Sequence, residues 1–175
     1  KKGYQVIRTP VKRIVALSTT MLPFIEKLGC IDRLVAIDRA KYVNTSSVLK
    51  RIKENKIREV GSSMNLNIEQ IYDLKPEVVL TFATGSKFDT HKKLENANIT
   101  YVMTCSYLEN TLLGRAEWIK FFSLLFGVET LASKEFLKIE DKYNKLKKLI
   151  KKEKARPSVF CNAPYSGVWY MPGGN

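Results

Sequence analysis

The sequence has only one histidine, His91, and three cysteines, Cys30, Cys105 and Cys161. The cysteines are widely spaced and form no CxxC pair, which excludes the usual structural zinc and thioredoxin-type motifs. An odd number of thiols also argues against a disulfide framework. A Ser-His-Asp type catalytic triad or a histidine metal site would have to be built around this one imidazole. We therefore expect neither triad catalysis nor a resident metal.

The motifs of the common nucleotide and zinc enzymes are also absent: there is no GxGxxG after the first strand, no GxxxxGK[ST] and no HExxH. The adjacent carboxylates Glu140 and Asp141 lie in a lysine-rich helical stretch, where solvated charges are the simpler interpretation. We therefore expect that the protein is not an enzyme.

Long hydrophobic runs are lacking as well. The longest, at 121–126, is far shorter than the ~20 residues of a membrane span. No basic and then apolar leader follows residue 1, so we expect that a signal peptide was removed or never existed. In contrast, 45% hydrophobic residues in a chain of 175 indicate a globular domain with a core.

Acidic residues are few: 17 stand against 30 lysines and arginines, a net charge of +13. Such a charge is compatible with a nucleic acid, an anionic membrane surface or an anionic ligand. Residues 134–154 contain nine lysines and four acids but no arginine. Since lysine alone is a poor base-reading surface, we interpret this stretch as a solvated helix face and expect no nucleic-acid partner. A basic nucleic-acid or partner-binding α/β module is the alternative.

Short apolar strands alternate with helices along the first 127 residues. Strands are predicted at 13–18, 34–38, 78–82 and 99–103, with helices ending at 28, 54, 75, 96 and 126. Thr19 or Thr20 is the expected cap of the first helix, and Asn110 that of the last. This alternation is typical of a parallel, Rossmann-like sheet with helices on both faces.

Ligands of such sheets bind beyond the carboxyl ends of the strands. The corresponding loops are small or polar, and their candidate ligand contacts are Thr19, Thr20, Arg39, Thr84, Ser86 and Tyr107. Near the end of the chain, the aromatic residues Tyr165, Trp169 and Tyr170 fit either a planar ligand or the core of another lobe.

Residues 60–82 contain a short capped helix. Asn67 is its predicted N-cap, and Ile68, Ile71, Tyr72 and Lys75 are predicted to share a face. Glu69 lies about 100° from Ile68 and is expected to point into solvent. Pro76 is predicted to end the helix before a strand buried on both faces.

A longer helix is predicted at 128–154. Apolar residues recur along it with a four-three spacing that makes a single seam: Ala132, Phe136, Ile139, Tyr143, Leu146 and Ile150. A strand is expected at 158–161, and the final ~20 residues are interpreted as the first piece of a second, truncated lobe, because a single strand cannot bury itself. We thus divide the chain into a lobe at 1–127, a bridging helix at 128–155 and the start of a second lobe at 156–175.

The segments RIVALSTTMLPFIEKLG, DRLVAID, NLNIEQIYDLKPEVVL and LENANITYV, followed by the long helix, resemble the class III substrate-binding proteins of ABC importers for iron–siderophore, haem and cobalamin. The resemblance covers nearly the whole chain, and Glu77 replaces the aspartate that is usual in this family's pattern. It implies two α/β lobes joined by one long helix, with the ligand in the cleft between them.

The resemblance also implies a partner. A glutamate on each lobe of these proteins docks onto arginines of the membrane permease, and Glu69 is the matching position here, while the second glutamate would lie beyond residue 175. We expect a monomeric periplasmic protein or cell-surface lipoprotein without an intrinsic cofactor. A single histidine argues against the zinc and manganese branch of the fold.

Three ligand classes follow from the resemblance. An anionic ferric siderophore would favour Arg39 or Arg115, and a corrinoid would favour Trp169 and Tyr170. Haem could use a tyrosine as iron ligand, with the candidates Tyr42, Tyr107, Tyr165 and Tyr170. A fragment of an α/β metal-chelate enzyme is the remaining alternative.

Overall fold

A computed structural model describes residues 5–62, 64–87, 89–155 and 157–170. Its centre is a five-stranded sheet in which all neighbouring strands are parallel, in the order β3-β2-β1-β4-β5. The strands are β1 (Ile14–Ala16), β2 (Leu34–Ile37), β3 (Arg58–Glu59), β4 (Val78–Thr81) and β5 (Tyr101–Met103). The chain therefore has the α/β architecture with a parallel sheet that its alternating pattern predicts.

Helices cover both faces of the sheet. They are α1 (Leu22–Lys27), α2 (Ser46–Lys53), α3 (Ile68–Leu74), α4 (His91–Asn96), α5 (Leu112–Phe126) and α6 (Glu129–Ile150). Successive strand residues point to opposite faces. Thus Ile14 and Ala16 pack with α1, α2 and α5, whereas Val15 packs with α3 and α4. Both cores depend on β1, whose three residues are all buried.

Two helix caps differ from the prediction. Ser18, rather than Thr19 or Thr20, accepts a hydrogen bond from the backbone N–H of Thr20 and begins a 3-10 turn (Thr19–Met21) that leads into α1. Thr111, rather than Asn110, caps α5 by accepting from the N–H of Gly114 at 2.9 Å. In both places several neighbouring polar side chains are of the types that cap helices, so residue type alone does not decide between them.

The strand β3 was not predicted. It has two residues, Arg58 and Glu59, both exposed at the edge of the sheet, and therefore carries no apolar alternation. In addition, α4 begins at His91 instead of residue 87, since Asp89 and Thr90 belong to the preceding turn, while residue 88 lies outside the described residues.

The helix α3 follows the prediction at its start and departs from it on one face. The side chain of Asn67 accepts from the N–H of Gln70 at 2.9 Å, as a capping residue does. Ile71 is fully buried, but Tyr72 is 67% exposed and does not share its face. The next residue of a helix lies about 100° further round, which carries Tyr72 off the buried side. Lys75 then adopts a left-handed conformation (φ 48°), so the helix ends just before Pro76.

The helix α6 has 22 residues, shorter than predicted, and leaves the lobe along α5. Only the first part of its apolar seam is buried: Ala132 and Phe136 pack into the core, while Ile139, Leu146 and Ile150 are exposed. None of the described helices is long and apolar enough to cross a membrane.

A buried acid joins α6 to the lobe. Glu135 accepts from the ammonium groups of Lys138 at 2.5 Å and of Lys27 in α1 at 2.9 Å. These hydrogen bonds, that of Lys138 above all, lower the pKa of Glu135 from 4.5 to about 2. An ionised carboxylate therefore holds the start of α6 against α1.

Residues 157–170 form no strand in the described structure, so the strand predicted at 158–161 is not observed. The residues at 158–161 are exposed and have no neighbouring strand to pair with, and a strand needs such a partner. The segment contains only an isolated antiparallel bridge between Tyr165 and Val168. Residues 156 and 171–175, which belong to the predicted second lobe, lie outside the described residues. The division into three domains remains a prediction.

Candidate functional site

The carboxyl ends of the central strands surround a cavity of about 320 Å³. One residue after each of β1, β2 and β4 reaches it directly, namely Leu17, Asp38 and Phe82, and the turn after β3 closes its side. The full lining comprises Leu17, Asp38, Gly61, Ser62, Met64, Leu66, Phe82, Thr84, Ser86, Asp89 and Thr90. The cavity thus lies at the sheet edge where a parallel sheet is expected to bind a ligand.

A glycine shapes one wall of this cavity. Gly61 has φ +80°, and a Cβ atom added there would lie 2.2 Å from the backbone oxygen of Asn65. Because no side chain fits this contact, the turn after β3 can close tightly only with glycine. Close packing of this turn brings Ser62 and Met64 to the cavity.

A buried carboxylate organises the loop after β4. Asp89 accepts hydrogen bonds from the backbone N–H groups of Thr84 and Gly85, both at 3.0 Å, and from the hydroxyl of Thr84 at 3.0 Å. The N–H of Thr84 is the main reason that the pKa of Asp89 lies below its usual value. On the other side of the loop, the hydroxyl of Tyr107 donates to the carbonyl of Ala83. The loop is therefore held from two sides.

A second carboxylate, Asp38, has an acceptor without a partner. Its Oδ1 atom is buried and receives no hydrogen bond from the described residues. Burial raises the pKa of Asp38. The backbone N–H groups of Arg39 and of Asp38 itself, together with the charge of Arg39, oppose this effect only in part. An unpaired buried oxygen is costly, so Asp38 is a place where an added donor or positive charge would be stabilising.

The structure brings some of the predicted ligand contacts to the cavity. Thr84 and Ser86 line it, whereas Thr19 and Thr20 lie in the neighbouring loop after β1 without reaching the lining. Arg39 follows β2 but points to the turn after β3, where its guanidinium donates to the hydroxyl of Ser62 at 2.5 Å. Their roles in binding remain predictions.

Other predicted contacts lie elsewhere. Tyr42 is 57% exposed beside the ammonium of Lys41, and Arg115 donates to the carbonyl of Glu109 in the turn before α5. Trp169 donates to the carbonyl of Cys161, and the carbonyl of Tyr170 accepts from Asn162. These last two aromatic residues therefore make their contacts within their own segment, away from the cavity.

Of the residues that line the cavity, sequence reasoning predicted only Thr84 and Ser86, and the two carboxylates Asp38 and Asp89 are among those it missed. Asp38 directly follows β2, and this position at the carboxyl end of a strand is the signal that could have identified it. Asp89 was hidden inside a helix predicted to start at residue 87, whereas it belongs to the turn before α4. Within the described ranges, no three histidine, cysteine or acidic side chains are grouped so that they could hold a metal ion.

The predicted docking residue, Glu69, lies in the first turn of α3 and is exposed. The positive end of the helix dipole and the cap at Asn67 favour an anion at this position. The carboxylate is free to pair with a group outside the lobe, since the described residues offer it neither an ion pair nor a hydrogen bond.

A parallel sheet with a cavity at its carboxyl edge and one long exit helix defines a lobe of a ligand-binding α/β protein. The model of the periplasmic binding protein family matches residues 14–175, and the chain belongs to this family. The family resemblance drawn from the sequence is therefore confirmed.

Curated relatives come from Methanocaldococcus jannaschii. One uncharacterised lipoprotein is 31% identical over 181 residues, an alignment that covers 99% of this chain and 43% of the relative. A second uncharacterised lipoprotein is 32% identical over 128 residues, covering 70% of this chain and 32% of the relative. The chain thus spans less than half the length of these relatives.

Solved structures show the same fold. The siderophore-binding protein BauB, bound to ferric iron and two acinetobactin molecules, is 18% identical with a TM-score of 0.66, covering 86% of this chain and 52% of that one. A periplasmic haem-binding protein from Pseudomonas aeruginosa is 19% identical with a TM-score of 0.60, and the alignment covers 81% of this chain and 47% of that one. The periplasmic vitamin B12 binding protein BtuF of Vibrio cholerae is 20% identical with a TM-score of 0.58, and the alignment covers 82% of this chain and 52% of that one. At these identities the likeness establishes the fold alone.

Proposed function

We propose that this chain is the ligand-capturing lobe of an extracytoplasmic substrate-binding protein, which binds an iron–siderophore, haem or corrinoid chelate and delivers it to the permease of an ABC transporter. The family membership supports the binding role, and the lipoprotein relatives support a place outside the cytoplasm. The described part of the chain provides the cavity, and the cleft requires a second lobe to complete it.

The cavity at the carboxyl edge of the sheet carries the proposal. Apolar side chains from different loops meet there, including Leu17, Met64 and Phe82, beside a few convergent hydroxyls. A mostly apolar wall with a few fixed polar groups is the usual composition of a site for a bulky small molecule. The three structural relatives that support the fold bind a ferric siderophore complex, haem and vitamin B12, which is why metal chelates are the proposed class.

Absorption spectroscopy tests the binding role. The full-length protein is incubated separately with haem, cyanocobalamin and a set of ferric siderophores, and each mixture is passed through a desalting column. We expect one class to co-elute in a near one-to-one ratio with a shifted visible spectrum. Failure of every chelate to co-elute at micromolar concentrations would reject chelate capture.

Delivery to a permease rests on Glu69. Its exposed carboxylate on a capped helix is suited to charge-assisted hydrogen bonds with arginine across an interface. We expect Glu69→Arg to abolish transport and permease binding, because it places like charges together, while ligand affinity changes less than about twofold.

The control for this substitution is Glu95→Arg, which alters an exposed glutamate of α4 on the same side of the sheet. Transport is measured in cells that carry the permease, and affinity is measured on the purified protein. A Glu69→Arg protein that transports normally, or one that loses its ligand, would contradict the docking role.

A further inference from the structure

The loop after β4 contributes nearly half of the cavity wall. Phe82, Thr84 and Ser86 line the cavity from this loop, and Asp89 and Thr90 line it from the turn that leads into α4. The shape of the site therefore depends on the conformation of this loop.

Packing alone does not fix this loop. Gly85 has φ +79°, and a Cβ atom added there would meet no atom of the described residues within 4 Å, apart from its chain neighbours. The turn after β3, which also borders the cavity, is different, since a Cβ atom added at Gly61 would lie 2.2 Å from a backbone oxygen. A glycine in open space has many accessible conformations, so the loop after β4 needs hydrogen bonds to hold it in one of them.

The side chains of Asp89 and Tyr107 make these hydrogen bonds. Asp89 accepts from the N–H groups of Thr84 and Gly85, both at 3.0 Å, and the hydroxyl of Tyr107 donates to the carbonyl of Ala83. Three successive residues are thus held through their backbones. All of the donors and acceptors belong to the protein, so these hydrogen bonds do not require a ligand.

The carboxylate that holds the loop is itself fixed in place. Asp89 is only 8% exposed, and its backbone N–H donates to the carbonyl of Ser86 at 3.1 Å. The hydroxyls of Thr81, at the end of β4, and of Thr90, just before α4, lie 2.5 Å apart and close the base of the loop. Hydrogen bonds to a charged acceptor are stronger than neutral ones, and burial strengthens them further. The loop is therefore anchored to both β4 and α4.

We propose that Asp89 and Tyr107 are positioning residues for ligand binding, which hold the loop at 83–85 in its binding conformation before the ligand arrives. This role rests on the proposed function and deepens it, because it concerns the same cavity. A site that is formed in advance loses less conformational entropy on binding, so its affinity is higher. A hydroxyl that donates keeps its proton, so in this role Tyr107 is not a phenolate ligand of haem iron.

Amide hydrogen exchange tests whether the loop is held in advance. The full-length protein is used without added ligand, and fragmentation in the mass spectrometer resolves single amides. We expect Asp89→Asn to accelerate exchange at Thr84 and Gly85 by about tenfold or more, because its amide nitrogen must oppose one of these two N–H groups. The matched control is Asp73→Asn, which alters an exposed aspartate of α3 and should leave this exchange unchanged.

Binding kinetics test whether the held loop serves the ligand. The probes are haem, cyanocobalamin and ferrioxamine B, and stopped-flow tryptophan fluorescence gives the association and dissociation rates of each probe that binds. We expect Asp89→Asn and Tyr107→Phe to lower the association rate by about threefold to tenfold and to leave the dissociation rate nearly unchanged, because only the population of the binding-competent loop falls. The matched control is Tyr72→Phe, which removes an exposed hydroxyl from α3 and should change neither rate.

Three outcomes would overturn the positioning role while the binding role stands. In the first, Thr84 and Gly85 of the unaltered protein exchange as fast as an unstructured peptide. In the second, the variants change only the dissociation rate, which would indicate a direct contact with the ligand. In the third, Tyr107→Phe changes the absorption spectrum of bound haem, which would identify the phenol as an iron ligand.

Two further results complete the test. Tyr107→Phe keeps the aromatic ring and therefore decides the kinetic question by itself if Asp89→Asn does not fold, as circular dichroism shows. Failure of all three probes to bind would reject the proposed function, and the positioning role with it.

Discussion

The sheet lobe and the second half of α6 contain the same kinds of apolar side chains and differ in what covers them. In the lobe, Phe122 and Ile14 are fully buried between helices and strands. Beyond Phe136, by contrast, Leu146 and Leu149 of α6 are at least half exposed. The two regions are continuous in the chain, and the start of α6 shares a core with α5 through Ala132 and Phe136.

The difference shows what a periodic apolar pattern can and cannot predict. A four-three spacing predicts that a helix has an apolar side, whereas the partner for that side depends on the rest of the structure. Since burial of apolar area stabilises by roughly 25 cal/mol per Å², the stability of this chain comes mainly from the lobe. Each prediction below compares a position in the lobe, or at its border with α6, with a matched position that lacks the contact in question.

The largest expected effect is at the centre of the lobe. Phe122→Ala removes a fully buried ring that stacks on Phe24 with a centroid distance of 4.9 Å. We expect a loss of about 3–5 kcal/mol in the free energy of unfolding, because a cavity remains where the ring was. Urea unfolding followed by far-UV circular dichroism measures this loss.

The matched substitution is Leu146→Ala in the exposed part of α6, where the side chain is 50% exposed. We expect it to cost less than about 0.5 kcal/mol, as surface changes usually do. If the two substitutions had similar costs, the second half of α6 would be packed in solution and the comparison would fail.

Sequence reasoning succeeded where the burial of an element is set by its own residues. The strands β1 and β2 are continuous apolar runs, and β4 is one up to its last residue, Thr81. Gly127 ends α5 in the left-handed conformation (φ 66°) that only a few residues adopt easily. The sequence missed β3, because a charged two-residue edge strand forms through backbone pairing alone.

The candidate site was predictable in location and less so in its residues. The rule that ligands bind at the carboxyl edge of a parallel sheet points to the correct loops. The role of each residue in those loops depends on contacts between segments that are distant in the sequence, such as the hydrogen bond from Tyr107 to Ala83, and no local pattern contains them.

A contact of the same kind lies at the opposite edge of the sheet. The carboxylate of Glu77 accepts from the backbone N–H groups of Lys12 and Arg13 and ties the starts of β1 and β4 together.

The next effect is expected where the two regions join. The pKa of Glu135 lies at about 2, below its usual 4.5, so this group stabilises the fold above pH 4.5 and loses that contribution as the pH falls toward 2. Glu135→Gln should therefore lower the melting temperature at pH 7 and reduce the dependence of stability on pH between about 4.5 and 2. Thermal unfolding across this pH range measures both.

The control for this prediction is Glu153→Gln, which alters an exposed acid just beyond α6. It should leave the melting temperature and its pH profile close to those of the unaltered protein. A Glu135→Gln protein with an unchanged pH profile would mean that the contacts with Lys27 and Lys138 do not hold α6 against the lobe.

The smallest effect on stability is expected at the start of α5, the helix that shares a core with the first part of α6. The side chain of Thr111 accepts from the N–H of Gly114, whereas the neighbouring Asn110 is exposed and is not the cap. Thr111→Ala should therefore cost about 1 kcal/mol in the free energy of unfolding, and Asn110→Ala close to nothing. Urea unfolding of the two proteins under identical conditions decides between the caps. The reverse order of effects would restore Asn110 as the cap and shift the start of α5 by one residue.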